Sequence, residues 1–311
     1  MKLFPTLLLC LVCSASFAQN PDASENVIAR WKKGEVKTIN ITHSKEKLEN
    51  GKSKEKPFTL SYIATITVLD STENGYKMKW VFDLDEKFKK EFPGIENVLP
   101  VYNGLEFLYT TEETGEFREL LNWEEVRDAY VDMALASMPK RGSDSTFDLV
   151  MEKTKQMFNS KQIVESALIK EIQLYHMPYG GQFPAKKMTS PNLLPNPFGG
   201  EPLPAISSQL LSKYAEDGNS FTINFTTELD SSGMNIMMKS MLKSFDLPMK
   251  ENIKDSVNRV MKDMLAQFQM TDKTESQIVK PGCWTNYIKY SRIASTNVFK
   301  QTEEFVFTMK Q

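Results

Sequence analysis

The chain has 311 residues, of which 41% are hydrophobic and 25% charged. That balance excludes a disordered chain, a collagen-like chain and a polytopic membrane protein. With 38 basic and 40 acidic residues the net charge is −2, which gives no basic surface for nucleic acid, and no nucleic-acid partner is expected.

Met1-Lys2 precedes an apolar run from Leu3 to Val12, and Ser16-Phe17-Ala18 puts small side chains just before Gln19. This is the pattern of an export signal, residues 1–18, cleaved after Ala18. The expected location is therefore periplasmic or secreted. The run is too short to cross a bilayer, and no later stretch is long and apolar enough to do so, so no transmembrane span is expected. Cys10 and Cys13 would leave with the signal, so Cys283 could form no intrachain disulfide. Its neighbours Gly282 and Trp284 point to burial.

Residues 35–121 read as antiparallel strands. Tyr62, Ala64, Ile66 and Val68 alternate with Ile63, Thr65, Thr67 and Leu69. After the Asp70–Gly75 turn cluster, Tyr76, Met78, Trp80, Phe82 and Leu84 share one face. Period-two alternation around Asn-Gly predicts a hairpin. A second hairpin is predicted from Leu105, Phe107 and Tyr109, a turn at Glu112–Gly115, and Phe117 to Leu121. Asn122 followed three residues later by Glu125 has the spacing of a capping box and opens a helical block over 123–175 of two or three helices, with helical spacing again after Ser143 (Phe147, Val150, Met151, Met157) and after Ser160 (Ile163, Val164, Ala167, Leu168, Ile172). Residues 176–204 hold 7 of the 15 prolines and 4 of the 14 glycines, which predicts a long crossover loop. Strands return at 205–229, helices near 233–245 and 250–268, and strands again from Glu275 to Met309.

Strands and helices in that order are not a βαβ alternation. The expected fold class is α+β, with a large, mainly antiparallel curved sheet and two helical blocks packed on it. The expected division is a signal at 1–18, a half of hairpins and helices at 19–175, the Pro-rich crossover at 176–204, and a half of strands and Met-rich helices at 205–311. The two halves are expected to share one sheet.

Much familiar chemistry is missing. His43 and His176 are the two histidines, and neither has partners at metal-ligand spacing, so no metal site and no cofactor are expected. There is no G-x-S-x-G elbow and no phosphate-cradling glycine loop. His43 reads as a strand-surface residue and His176 as a loop-entry residue. Asp70-x-Thr72-x-Asn74-Gly75 opens like a calcium loop, but its twelfth position is Val81, where a carboxylate is needed. Asp83 and Asp85 could serve a carboxylate-dependent hydrolase, although 40 acidic residues make such pairs common.

Met234, Met237, Met238 and Met241 recur at helical spacing, as do Val257, Val260, Met261, Met264, Leu265 and Phe268. Amphipathic helices beside a sheet need such faces for the core. Methionine also adapts its shape to varied apolar partners. On that second reading Met237, Met241, Met261, Met264 and Phe268 are the candidate ligand-binding residues, with the Pro-rich segment as a cover.

The signal ending Ser-Phe-Ala-Gln resembles those of envelope proteins from Bacteroidota-type bacteria. The segments Leu105–Tyr109 and Thr114–Val126 are similar to a strand–turn–strand–helix unit of uncharacterised exported proteins of that group. Trp284–Tyr290 and Gln301–Met309 resemble the final hairpin of curved-sheet periplasmic carriers of the lipoprotein-chaperone type. The carrier resemblance implies an apolar pocket between a curved sheet and helices; it supplies no catalytic residues. Asp70-Ser71-Thr72, Asp144-Ser145-Thr146 and Asp255-Ser256-Val257 fit the short O-glycosylation pattern of the same bacteria.

The reading that joins these observations is an exported, non-catalytic binding protein of the bacterial envelope for an apolar or amphiphilic, lipid-like ligand. The alternatives are an envelope assembly protein acting through protein contacts, and a hydrolase built on acids such as Asp83 and Asp85.

Overall fold

Period-two alternation builds most of the molecule. In the computed structural model, which describes residues 24–53, 56–84, 103–136, 158–194, 196, 200–244 and 268–310, an open antiparallel sheet of 12 strands dominates. In chain order the strands are β1 (Ser24–Asn26), β2 (Val36–Glu49), β3 (Lys52–Ser53), β4 (Phe58–Thr72), β5 (Gly75–Asp83), β6 (Glu106–Thr111) and β7 (Phe117–Leu120). Then follow β8 (Gln182–Pro184), β9 (Met188–Leu194), β10 (Leu203–Tyr214), β11 (Ser220–Leu229), β12 (Gln269–Val279), β13 (Trp284–Ser295) and β14 (Phe299–Met309). The described helices are α1 (Trp123–Ala136), α2 (Lys161–Leu168), α3 (Lys170–His176) and α4 (Ser231–Ser244). This is the α+β architecture with a large curved antiparallel sheet that the alternation predicts.

Across the sheet the order is β7-β6-β5-β4-β2-β14-β13-β12-β11-β10-β9, with β3 paired to β2; β1 and β8 form a separate two-stranded ribbon. Both predicted hairpins form, β4–β5 and β6–β7. The first carries an irregularity between Val68 and Asp70, where the extra residue increases the local twist.

Residues directly opposite on neighbouring strands share a face, so the register fixes what each face carries. One row runs Tyr62, Ile41, Phe307, Ile288, Ser276, Ile223, Leu211 across seven strands. Its members from β4, β2, β14 and β13 are large and buried, as are Trp80, Phe82, Phe107 and Tyr109 on the same face. We call this the inner face. Full burial of such side chains contributes about 1.5–3 kcal/mol each.

Helix α3 lies on the inner face. Tyr175 meets Trp80 with ring centroids 5.7 Å apart and Phe307 at 6.3 Å. The Tyr62 hydroxyl donates to Glu171 over 2.7 Å, and the Lys170 ammonium donates to Glu303 over 2.6 Å. The helical periodicity after Ser160 predicts one continuous helix, but the chain breaks at Ile169, whose φ of −123° and ψ of 33° lie outside the helix. Ile169 is buried, so the break seats its side chain in the core and turns α3 onto the sheet.

Two further local differences have clear causes. Asn122 does not close a capping box around its own helix: its side chain accepts from Leu108 N–H and donates to the Glu106 carbonyl, tying α1 to β6. Glu125 does reach back, but to the Asn122 amide at 2.9 Å. The segment read as a crossover loop contains β8 and β9. Pro191 stands within β9, which is an edge of the sheet. An edge strand tolerates a proline because one side of its backbone needs no ladder bond.

Helix α4 matches the helix predicted near 233–245. Asp230 precedes it and accepts from Gly233 N–H and Ser232 Oγ, both at 2.7 Å. The Gly233 bond is the main reason the Asp230 carboxyl is held below its ordinary value. Gly233 touches β10 so closely that an added Cβ would lie 2.2 Å from the Pro204 carbonyl oxygen. The helix predicted at 250–268 falls outside the described residues apart from Phe268, as does the predicted helix after Ser143.

Candidate functional site

The inner face changes character along its strands. One row from the apolar row are His43, Phe305, Tyr290 and Thr274. One row further are Lys45, Glu303, Arg292, Asp272, Thr227 and Ser207, directly opposite one another on six successive strands. A polar row therefore crosses a face that is otherwise apolar.

Its members are joined. Arg292 donates to Asp272 through Nε at 2.8 Å and Nη2 at 2.7 Å, the paired geometry that best matches guanidinium to carboxylate. Those bonds push the Arg292 guanidinium above its already high ordinary value. Glu303 accepts from His43 Nε2 at 3.0 Å and from Lys170 at 2.6 Å. The His43 bond, followed by the Lys170 bond and charge, holds its carboxyl down at about 2. His43 stacks on Phe305 with centroids 4.0 Å apart and planes 7° from parallel. Ser207 and Thr227 hydroxyls meet at 3.0 Å, and the Asn192 amide donates to Ser207 at 2.9 Å.

Beside α3 this row opens into a cleft of about 640 Å³. Lys170, Gln173, Leu174, His176 and Met177 form the helical wall. Asp272, Tyr290 and Arg292 form the sheet wall, and Glu116, Phe117 and Ser166 complete the lining. Lys170 lies over two aromatic faces, 4.9 Å from the Phe305 centroid and 5.5 Å from Tyr290, an attraction that fixes its ammonium. The cleft thus combines apolar surface from Phe117, Leu174 and Met177 with two fixed cations, Lys170 and Arg292, and two acids, Asp272 and Glu116. Below it, Thr274 Oγ1 donates to the Met177 sulfur at 3.4 Å, and the buried Ser276 hydroxyl has no partner.

His176 is a helix-end residue in the core, not the loop-entry residue its sequence position implies. It is 1% exposed. Its Nδ1 lies 2.8 Å from the Gly115 carbonyl and its Nε2 lies 2.9 Å from the Tyr109 hydroxyl. Burial pulls its pKa down to about 4. Trp31 and Tyr179 pack around the ring, and Trp31 stacks on Trp284 at 4.7 Å. Both nitrogens are engaged and the imidazole is neutral, so this is a packing hub and not a proton-transfer group. His43 likewise faces inward and is half-buried, not on the outer surface.

The sequence-derived candidates fall as follows. Met237 is half-buried on α4, and Phe268 is half-buried just before β12. Neither lines the cleft. Met241 belongs to α4, with its side chain outside the description; Met261 and Met264 lie outside the described residues. Asp83 is exposed at the end of β5, and Asp85 falls outside the described residues. Asp70 is paired with Lys33 at 3.3 Å beside the β4–β5 turn. Among the described residues no group of three or more His, Cys, Asp or Glu side chains could hold a metal. Cys283 is a free, half-buried thiol whose carbonyl accepts from Tyr179 at 3.0 Å. Ser71 is exposed, while the Asp144 and Asp255 motifs lie outside the described residues, as do the proposed signal and its cut. No helix among the described residues is long and apolar enough to cross a membrane.

Sequence reasoning missed the polar row. The strands do carry a signal for it: Phe307 and Phe305 are followed at the same parity by Glu303, and Ile288 and Tyr290 by Arg292. A charge that continues an inward-facing alternation marks a site where a sheet face turns polar.

No protein-family model matches the chain, and no curated protein matches it. Among solved structures, it is similar to a lipovitellin structure titled for lipid–protein interactions, with 8% identity and a TM-score of 0.42, over 90% of this chain. It spans only 25% of that chain. It is also similar to a putative outer membrane lipoprotein-sorting protein domain from Vibrio parahaemolyticus, with 9% identity and a TM-score of 0.19, over 88% of this chain and 83% of the other. A DUF1329 family protein from Desulfovibrio piger aligns at 10% identity with a TM-score of 0.21, over 88% and 85%.

Proposed function

We propose that the protein is an exported, non-catalytic binding protein of the bacterial envelope, holding an amphiphilic ligand between α3 and the inner face of β12–β13. The observation that carries this reading is the cleft of about 640 Å³, a volume in the range of small-molecule sites. Its lining sets the apolar Phe117, Leu174 and Met177 beside a larger group of polar and charged side chains, a mixture suited to a ligand with two chemically different ends. Met237, Met241, Met261, Met264 and Phe268 are proposed to contact parts of the ligand that extend beyond the cleft, which Met237 and Phe268 do not line. Native and denaturing mass spectra of the chain purified without detergent test the reading. Extra mass lost on denaturation supports it and identifies the ligand; a bare chain that also fails to take up added amphiphiles rejects it.

An assembly role has one observation in its favour. Leu193 is 65% exposed on edge strand β9, and Ile206 is 47% exposed on the adjoining β10. Exposed apolar side chains beside an unpaired strand edge suit contact with another protein. A partner captured by the chain and lost on Leu193→Lys would favour that role.

A further inference from the structure

Resting on the reading of the cleft as an amphiphile site, we infer that its ligand carries an anionic head, a carboxylate or phosphate monoester, bound between Lys170 and Arg292. The argument is one of unequal saturation. Both oxygens of Asp272 already accept from Arg292. Both oxygens of Glu303 already accept, one from His43 and one from Lys170. Each oxygen of the two carboxylates thus already holds one donor, from Arg292, His43 or Lys170.

The donors are not used up in the same way. Arg292 meets Asp272 through Nε and Nη2, which leaves the Nη1 end of the guanidinium outside the pair. Lys170 gives one bond to Glu303, and an ammonium carries three donors. Both side chains line the cleft, and they keep 30% and 39% of their surface exposed. Tyr290 stands between them: its ring lies under the Lys170 ammonium at 5.5 Å, and Arg292 is two residues along the same strand face.

The carboxylate partners therefore act as supports. They hold two cations in place before any ligand arrives, which reduces the ordering cost of binding. Glu116 is the opposing charge in the lining, and it is exposed, so water and salt screen its repulsion. A cationic head would have to compete with Arg292, His43 and Lys170 for the carboxylate oxygens and would meet an ammonium and a guanidinium across the cleft. An uncharged head would leave the free donors to water.

The test uses the full chain, equilibrium dialysis and three probes with one tail: decanol, decanoate and decyl phosphate, all below their micelle concentrations at pH 8 and low salt. Both anionic probes are expected to bind at least tenfold tighter than decanol. Lys170→Met is expected to cut the preference for the anionic probes over decanol at least fivefold, while Lys170→Arg retains it. Glu303 keeps His43 as a partner in these variants, and melting curves check that they fold. Arg292→Gln provides a second variant with the same expected pattern. The stronger of decanoate and decyl phosphate identifies the head. Equal binding of decanol and both anions, or a preference that survives both Lys170→Met and Arg292→Gln, overturns the anionic head and leaves the cleft reading standing. No binding of any probe overturns the cleft reading and this inference with it.

Discussion

His176 Nδ1 lies 2.8 Å from the Gly115 carbonyl oxygen, and because a carbonyl can only accept, the ring carries its proton on Nδ1. Nε2 then accepts from the Tyr109 hydroxyl at 2.9 Å. A proton added to this ring would have to displace that bond inside the aromatic cluster.

Stability should accordingly depend on acid. The His176 pKa is lowered from 6.5 to about 4, so the unfolded chain takes up the proton first. The neutral ring's contribution is complete above pH 6.5 and is lost as pH falls toward 4, an effect of up to about 3 kcal/mol. Glu303 adds a second loss as pH falls from its ordinary value near 4.5 toward about 2. Urea melts from pH 8 to 4 should show the first loss, and His176→Gln should flatten it while lowering stability at pH 8.

Gly115 should not tolerate a side chain. Its φ is +95°, and an added Cβ would lie 2.7 Å from Ala29 Cβ and 2.9 Å from Tyr179 Cδ1. Gly34 has a similar φ of +85° with nothing within 4 Å. Gly34→Ala should cost about 1 kcal/mol from backbone strain alone, and Gly115→Ala about 3 kcal/mol or more. Thermal melts of the two variants measure the difference, which isolates the packing of the hub.

Helix α4 offers a case where a better helix former should weaken the protein. Gly→Ala within an exposed helix gains about 1 kcal/mol. At Gly233 the new Cβ would meet the Pro204 carbonyl at 2.2 Å, so α4 must lift from β10. Gly233→Ala should lower the melting temperature and speed amide exchange in 231–244 more than in β13 and β14.

The Arg292–Asp272 pair should be strongly coupled. Asp272 is 19% exposed and Arg292 39%, so removing one partner leaves the other poorly solvated. Asp272→Asn and Arg292→Met should each destabilise by about 1–2 kcal/mol, discounted from a fully buried pair for exposure. The double variant should cost less than the sum, as a double-mutant cycle by urea melts would reveal.

Strand periodicity made the hairpins at 62–84 and 105–121 legible, because each side chain's face follows from counting by two. Register across strands was not legible. Lys45, Glu303, Arg292 and Asp272 become one row only once β2, β14, β13 and β12 are aligned, and that alignment is set by packing over the whole sheet. His176 was misplaced because the chain around it is rich in turn residues, while Tyr109, Trp31 and Gly115, which bury it, are remote in sequence. Strand β9 was hidden by Pro191, which composition assigns to a loop and an edge position permits.

The middle of the sheet joins β2 to β14, with His43 bonded to Glu303 across 260 residues of chain. A chain made from its N-terminus therefore presents β2 with one free edge until residues 299–309 have been synthesised. Its two flanking sets of strands can each zip by neighbouring hairpins, but the seam closes only by bringing distant segments together. Such remote pairing is slow relative to local folding, and an open strand edge is prone to wrong partners while it waits. Assembly of this protein is thus governed by β14, and removal of that strand would leave two half-sheets, one edged by β2 and the other by β13.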